Sequence, residues 1–210
     1  VSSSVAPLGK WSPAEGGIIL SGRFGWSSGC DYADWAVLGY MGKNEMGQDG
    51  PCFAVVPRSD YQIIDDWDSQ ALRGTGSKSI VLEDVFVPHH RTESLFGLNF
   101  GLSAGYKFHD SDLFYTPFSA VFSLGFAAVA LGIAERSIEV FTEKTKTRIR
   151  AYTGASEITN VPAQMGLAES VNQTRAAKVL LENDWQEMMA WAQERRMPPT
   201  SDLLNWRTQQ

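Results

Sequence analysis

The chain has 210 residues, of which 43% are hydrophobic, and its 18 Lys and Arg against 24 Asp and Glu give a net charge of −6. That composition is typical of folded globular proteins and excludes the disordered class. A net acidic chain without a basic stripe argues against nucleic acid as the main partner. Two cysteines, Cys30 and Cys52, are too few for a disulfide framework, so we expect a reducing, cytoplasmic location.

The two ends of the chain suggest a longer protein. The first residue is Val1 rather than Met, and no signal peptide is visible. Residues 200–206 are typical of a helix that is just beginning. We therefore expect the 210 residues to be a middle piece of a larger protein.

Residues 1–100 are predicted to form a β domain. Short apolar segments alternate with Gly, Pro and Asp, a pattern typical of five or more short strands in a barrel or sandwich. Residues 48–51, Gln-Asp-Gly-Pro, indicate a hairpin loop between two of these strands.

Residues 110–210 show the periodicity of helices and are predicted to form part of an antiparallel bundle. Residues 118–134 are apolar nearly all round, but the run is shorter than the roughly 20 residues of a membrane span. We therefore predict a helix buried inside the bundle, not a membrane segment. A second helix is predicted from about Asn160 to Arg196, where apolar residues recur at spacings of three and four.

Two glycine-containing segments of the β domain carry candidate binding residues. Residues 24–29, Phe-Gly-Trp-Ser-Ser-Gly, place two hydroxyls beside a Trp, and a Ser hydroxyl can donate to a ring nitrogen or accept from it. Residues 72–77, Leu-Arg-Gly-Thr-Gly-Ser, could form an anion-binding nest that grips phosphate. Taken alone, each segment is better explained as an ordinary loop between strands.

A row of basic residues follows the first long helix: Lys144, Lys146, Arg148 and Arg150. Positive charges near a helix C-terminus stabilise the helix dipole, which is sufficient to explain them. They could also reach the phosphate of a cofactor held by a neighbouring subunit. The three histidines have no matching carboxylate cluster, so no metal site is expected.

Five motifs in one order resemble the acyl-CoA dehydrogenase superfamily, and within it the flavin-dependent monooxygenases that act as oxygenase components of two-component aromatic hydroxylases. In chain order they read Gly-Gly-x-x-Leu-Ser-Gly-Arg, Trp-Ser-Ser-Gly-Cys-Asp, Asp-Asp-Trp, Leu-Arg-Gly-Thr-Gly-Ser and Asp-Val-Phe-Val-Pro. Residues 14–37 and 61–92 carry the most specific match, and the resemblance covers nearly the whole chain.

The resemblance implies an α+β fold with an N-terminal helical domain, a middle β-barrel domain and a C-terminal four-helix bundle, usually assembled as a homotetramer. This chain resembles the middle domain and the first part of the bundle. The N-terminal helical domain and the last helices would lie outside it.

The resemblance also implies a mechanism. A separate flavin reductase would supply reduced FMN or FAD, which would react with O₂ to form a C4a-hydroperoxyflavin and hydroxylate a phenolic substrate. Ser28 would hydrogen-bond flavin N5 or O4, with Ser27 as the fallback for this catalytic role. Trp26 would pack on the isoalloxazine ring.

Further site residues follow from the same resemblance. The additional flavin contacts expected in the β domain are Gly29, Arg73, Thr75 and Ser77, and those expected from a neighbouring subunit are Arg148 and Arg150. Tyr115, Phe118 and Phe122 are the candidates for an aromatic substrate pocket, although a role in the hydrophobic core is favoured for them. Related hydroxylases often carry His where Tyr32 stands and Arg near Tyr115, so the substrate pocket is expected to differ. The catalytic His of the family is expected beyond residue 210.

Two other functions remain open at this level. The first is an FAD-dependent acyl-CoA dehydrogenase, whose glutamate base would also fall outside the chain. The second is a non-catalytic interaction module. The sequence does not identify the aromatic substrate or the reductase, nor does it choose FMN over FAD or carbon over heteroatom oxygenation.

Overall fold

The computed structural model describes residues 1–209. They divide into two compact units, Val1–His109 and a second unit that begins at Asp110. The first unit is built around a β-sheet and the second from helices.

Seven strands of the first unit form one mixed sheet. They are β1 (Ser2–Ala14), β2 (Gly17–Ser27), β3 (Trp35–Lys43), β4 (Asp49–Pro57), β5 (Gln62–Ile64), β6 (Lys78–Pro88) and β7 (Thr92–Ser94). Their spatial order is β5-β6-β2-β1-β3-β4-β7, and the short helix α1 (Leu95–Phe100) follows β7. The end strands β5 and β7 are three residues each and do not pair with each other in the part of the chain described here, so the predicted barrel is an open one.

Strand β1 changes partner along its length. Its first residues run parallel to β3, with Ser2 opposite Ala36, and its second half runs antiparallel to β2. Between these two pairings the carbonyl oxygen of Val5 passes over Gly39, where an added Cβ would lie 2.3 Å from that oxygen. Only glycine fits at this approach, and it allows one strand to join both halves of the sheet.

The core of the first unit lies against the sheet. In β2, Ile18, Leu20 and Phe24 are buried, because alternate residues of a strand point to the same face. Leu38 of β3 and Ile80 of β6 are fully buried in the same cluster. The apolar segments identified in the sequence therefore form this core. The β3–β4 hairpin turns at residues 44–48, whereas residues 49–51 of the predicted loop belong to β4 and pair with β3, so the loop lies before most of the residues that the sequence indicated.

The second unit contains three helices, α2 (Phe118–Thr147), α3 (Val161–Gln193) and α4 (Thr200–Gln209). Helix α3 begins directly after Asn160, as the sequence predicts, with Pro162 in its first turn. The three helices share a small hydrophobic core, to which α2 contributes Ala120, α3 contributes Met188 and α4 contributes Trp206. The indole N–H of Trp206 donates a hydrogen bond of 2.9 Å to Glu187.

The prediction that α2 is buried is wrong for this chain, because Ala120 is its one buried residue among those described. Phe126, Val129 and Ile133 are each about two-thirds exposed, with values of 66%, 64% and 64%. By length and composition alone α2 could cross a membrane. The physical reason for the difference is that α3 and α4 cover only part of its surface, so a helix that is apolar nearly all round keeps its other faces exposed.

The segment between β5 and β6 is fixed to the sheet through Asp66. Its carboxylate accepts hydrogen bonds from the Ser79 hydroxyl, from Arg23 at 2.7 Å and from the Ser79 backbone N–H at 2.8 Å. These hydrogen bonds, of which the one from the Ser79 hydroxyl has the largest effect, lower the pKa of Asp66 to about 2. Asp66 thereby ties the start of residues 65–77 to both β2 and β6.

We expect Asp66→Asn to lower the urea midpoint for unfolding of the β unit at pH 7. A lowered carboxylate pKa contributes stability that is fully present above the ordinary Asp value near 3.8 and is lost as the pH falls through about 2. The difference between wild type and variant should therefore be constant above about pH 5, shrink as the pH falls toward 2 and vanish below it.

Urea unfolding followed by tryptophan fluorescence across this pH range measures the difference. Asp68→Asn is the matched control, since the exposed Asp68 side chain forms no ion pair or hydrogen bond with the rest of residues 1–209. An Asp66→Asn difference that persists unchanged at pH 2 would contradict the assignment.

Candidate functional site

A β-bulge in β2 exposes the side chain of Trp26. Phe24 pairs with Ile80 and Ser27 with Lys78, so two residues of β2 lie opposite the single residue Ser79. Trp26 has a φ of 60° and is 81% exposed. Left-handed backbone is strained for a bulky residue, and bulges redirect side chains beside functional sites. The bulge thus presents a flat aromatic ring at the surface.

The two glycine-containing segments predicted separately from the sequence lie side by side. The Gly29 N–H donates a hydrogen bond of 2.9 Å to the carbonyl oxygen of Thr75. The hydroxyl oxygens of Ser28 and Ser77 are 2.8 Å apart. Gly29 has a φ of 71°, a left-handed conformation that glycine adopts without steric cost. The structure therefore unites Trp26, Ser28 and Gly29 with Thr75 and Ser77 in one place, which we call the paired loops (residues 26–29 and 72–77).

The two adjacent serines of the first loop point in opposite directions. Ser27 is fully buried, and its hydroxyl oxygen lies 2.6 Å from that of Ser2. Ser28 is exposed, and its carbonyl oxygen accepts a bond of 3.0 Å from Ser2. Of the two hydroxyls proposed from the sequence, only that of Ser28 reaches the surface beside Trp26.

Ion pairs hold the base of the paired loops together. Lys78 lies 3.0 Å from Asp31 and 3.4 Å from Asp65, and its hydrogen bond to Asp31 is the main reason that its pKa is raised. Burial raises the pKa of the Cys30 thiol beneath them, which keeps it protonated and unreactive. Arg73 is exposed, and its guanidinium forms no hydrogen bond or ion pair within residues 1–209. It is therefore available to bind an anion.

The link between α2 and α3 presents two more cations. An isolated β-bridge between Ile149 and Ser156 shapes this link. Arg148 is exposed, and its side chain forms no ion pair with another described residue. The Nε atom of Arg150 is buried without a hydrogen-bond partner in the described chain. Burying a guanidinium nitrogen without a hydrogen-bond partner costs free energy. This cost favours an anionic partner from outside this chain.

The predicted substrate residues form an aromatic row at the start of α2. The Phe118 and Phe122 rings stack with centroids 5.6 Å apart, and the Phe126 ring contacts Phe122 edge-on at 5.1 Å. Phe118 and Phe122 are 36% and 48% exposed, so the favoured role in the hydrophobic core does not hold for them in this chain. Just before the helix, the Tyr115 ring lies under the guanidinium of Arg195 at 3.8 Å.

Sequence reasoning missed three residues that shape these features. Ser2 holds both serines of the first loop, Asp66 fixes the second loop, and Arg195 joins Tyr115 to Asp110 through a 2.9 Å ion pair. Asp66 lies in the Asp-Asp-Trp motif, but that motif does not show its role, and no local signal identifies Ser2 or Arg195, because all three act on residues far away in the sequence. Within residues 1–209 no group of three or more His, Cys, Asp or Glu side chains could hold a metal ion.

Comparison with known proteins finds one matching family and similar curated proteins. The family described as Acyl-CoA dehydrogenase, C-terminal domain, matches residues 124–210. The oxygenase component of p-hydroxyphenylacetate 3-hydroxylase from Acinetobacter baumannii is 46% identical over 210 residues, which is 100% of this chain and 50% of that protein.

Two solved structures share the fold. A 3-HSA hydroxylase from Rhodococcus sp. RHA1 is 31% identical with a TM-score of 0.86, and the match covers 99% of this chain and 54% of that one. XiaF from Streptomyces sp., in complex with FADH2 and glycerol, is 26% identical with a TM-score of 0.80, and the match covers 99% and 53%.

The chain spans about half the length of the curated relatives it matches. Its mixed sheet followed by long helices is the acyl-CoA dehydrogenase-like α+β fold that the sequence predicts. The chain belongs to the acyl-CoA dehydrogenase superfamily, in its branch of flavin-dependent monooxygenase oxygenase components.

Proposed function

We propose that this protein is the oxygenase component of a two-component hydroxylase that uses reduced flavin and O₂ to hydroxylate a phenolic ring. The observation that carries the proposal is the union of the paired loops, which sets an exposed Trp26 ring beside the exposed Ser28 hydroxyl. The relatives support it, since the Acinetobacter protein is named as the oxygenase component of an aromatic hydroxylase. We further propose a cytoplasmic location, where a flavin reductase can supply the reduced cofactor.

The residues of the paired loops fit a flavin. Trp26 offers a flat apolar surface for an isoalloxazine ring, and the exposed Ser28 supplies a hydroxyl that would form a hydrogen bond with such a ring. The Arg73 guanidinium adds a positive charge at the edge of the same loops. Reduced FMN or FAD bound there would supply the electrons that activate O₂.

The role of this chain's residues is to orient the flavin and exclude water. Ser28 is held by Ser77 at 2.8 Å, so its oxygen has a fixed position for a hydrogen bond with N5. The Trp26 ring would cover one face of a flavin bound there. Excluding water from the reacting ring favours transfer of oxygen to the substrate over release of hydrogen peroxide.

Arg148 and Arg150 are proposed to bind the flavin phosphate of a neighbouring subunit in a homotetramer. Their guanidinium groups have no partner among the described residues, and the buried Nε of Arg150 requires one. A phosphate accepts several charge-assisted hydrogen bonds from such groups.

The aromatic row of α2 is proposed to contribute to the substrate pocket. Phe118 and Phe122 are exposed and stacked, which makes them suitable to receive another ring. Tyr115 is fixed by Arg195 and would present its ring edge or hydroxyl to the same substrate.

The proposal is tested with the complete protein, chemically reduced FMN, ¹⁸O₂ and a panel of phenols that includes p-hydroxyphenylacetate. We expect a hydroxylated product that carries one ¹⁸O atom, identified by mass spectrometry. Complete flavin oxidation with hydrogen peroxide as the sole product, together with bleaching of bound FAD by an acyl-CoA, would instead indicate a dehydrogenase.

In the same assay, Ser28→Ala should lower the product formed per reduced flavin by roughly two- to tenfold, because one hydrogen bond to the flavin is lost. Hydrogen peroxide should rise by the matching amount. Ser59→Ala, at an exposed serine whose hydroxyl donates to the adjacent Asp60, serves as the control and should leave the ratio unchanged. An unchanged ratio in Ser28→Ala would remove Ser28 from the site.

Arg150→Gln should weaken the binding of reduced FMN by roughly 10- to 100-fold and leave reduced riboflavin, which lacks the phosphate, nearly unaffected. Equilibrium titration of both flavins measures the difference. Lys146→Gln tests a neighbouring cation of the same basic row and should change neither affinity. Equal losses for both flavins would contradict a phosphate contact at Arg150.

A further inference from the structure

A chain of three hydroxyl groups runs through the paired loops and ends on a backbone carbonyl. The Ser28 and Ser77 oxygens are 2.8 Å apart, and the Ser77 and Thr75 oxygens are 2.7 Å apart. The Thr75 hydroxyl donates a hydrogen bond of 2.8 Å to the carbonyl oxygen of Leu72. All three contacts lie at hydrogen-bond distance.

The carbonyl end determines which group donates at every link. A carbonyl cannot donate, so the single proton of Thr75 is committed to Leu72. Thr75 must therefore accept from Ser77, which commits the Ser77 proton in turn. Ser77 then accepts from Ser28. The Ser28 proton thus points inward, and only the lone pairs of its oxygen face outward.

The end of this hydroxyl chain is held in place by the backbone. The Leu72 carbonyl also accepts bonds from the Thr75 N–H at 3.1 Å and from the Trp67 indole at 3.3 Å. Leu72 itself has a φ of 55°, a strained conformation that persists only where its surroundings fix it. Ser77 is only 7% exposed, so water has little access to replace the central link.

Flavin N5 changes its hydrogen-bonding character with redox state. In reduced flavin N5 carries a proton and donates, whereas in oxidised flavin N5 has only a lone pair and accepts. An outward-facing acceptor at Ser28 pairs with the reduced form. With oxidised flavin, Ser28 must either break its hydrogen bond to Ser77 or place a lone pair of its oxygen against the lone pair of N5.

We propose that Thr75 and Ser77 are positioning residues that commit Ser28 to act as a hydrogen-bond acceptor and so select reduced over oxidised flavin. The inference rests on the proposed function, since it requires flavin N5 to lie beside Ser28. Neither residue needs to touch the flavin for this effect. Their hydroxyl protons act through Ser28 alone.

The test measures the dissociation constants of oxidised FMN and of dithionite-reduced FMN, the latter under anaerobic conditions, for the complete protein. Thr75→Val keeps the shape of the side chain but removes the proton donor, which frees Ser77 to donate to Ser28 and Ser28 to donate outward. We expect the ratio of the oxidised to the reduced constant to fall roughly tenfold. For this two-electron couple a tenfold fall lowers the midpoint potential of bound FMN by about 30 mV.

Two further variants separate this effect from a structural one. Thr75→Ser retains the hydroxyl and should keep the wild-type ratio. Ser77→Ala removes the central link and should lower the ratio as Thr75→Val does, even if Thr75→Val does not fold. A ratio within twofold of wild type in both Thr75→Val and Ser77→Ala, with flavin still bound, overturns the inference and leaves the proposed function intact. A wild-type protein that binds neither FMN nor FAD, in either redox state, overturns both.

Discussion

The hydrogen bond from the Gly29 N–H to the Thr75 carbonyl is the contact on which the candidate site depends. Neither loop alone differs from an ordinary connection between strands. Joined, they place a hydroxyl chain beside an exposed aromatic ring, with Ser28 at its end. The chemistry proposed for this protein therefore follows from one backbone contact between segments that are distant in sequence.

The sheet provides the support that this contact requires. Trp26 and Leu72 both have left-handed backbone, and such strain persists only where the surrounding structure fixes it. The bulge opposite Ser79 fixes the first loop, while Asp66 fixes the segment that leads to the second. Stability and function are thus linked through the start of β6, which pairs with the bulge and also holds Asp66.

Much of the fold follows from local sequence signals. The short apolar segment 17–20, bounded by turn residues, predicts a strand, and Asn160 before Pro162 predicts where α3 begins. The two glycine-containing segments were candidates for binding from their local sequence, and the resemblance indicated that both contact a flavin, but their pairing with each other was not predicted.

The remaining features depend on which strands and helices come together. The contact of Ser2 with Ser27 requires β1 to lie beside the end of β2, and the bonds from Ser79 to Asp66 require a specific strand register. The exposure of α2 was not predictable from its composition, because an apolar helix is buried only where neighbours cover it.

The most direct test of the central claim is a crystal structure of the complete protein with reduced FMN bound under anaerobic conditions. We predict that flavin N5 lies about 2.7–3.2 Å from the Ser28 hydroxyl oxygen, that the Trp26 ring packs on the isoalloxazine, and that the Gly29–Thr75 bond is intact. Flavin bound elsewhere, or with N5 turned away from the paired loops, would contradict the account.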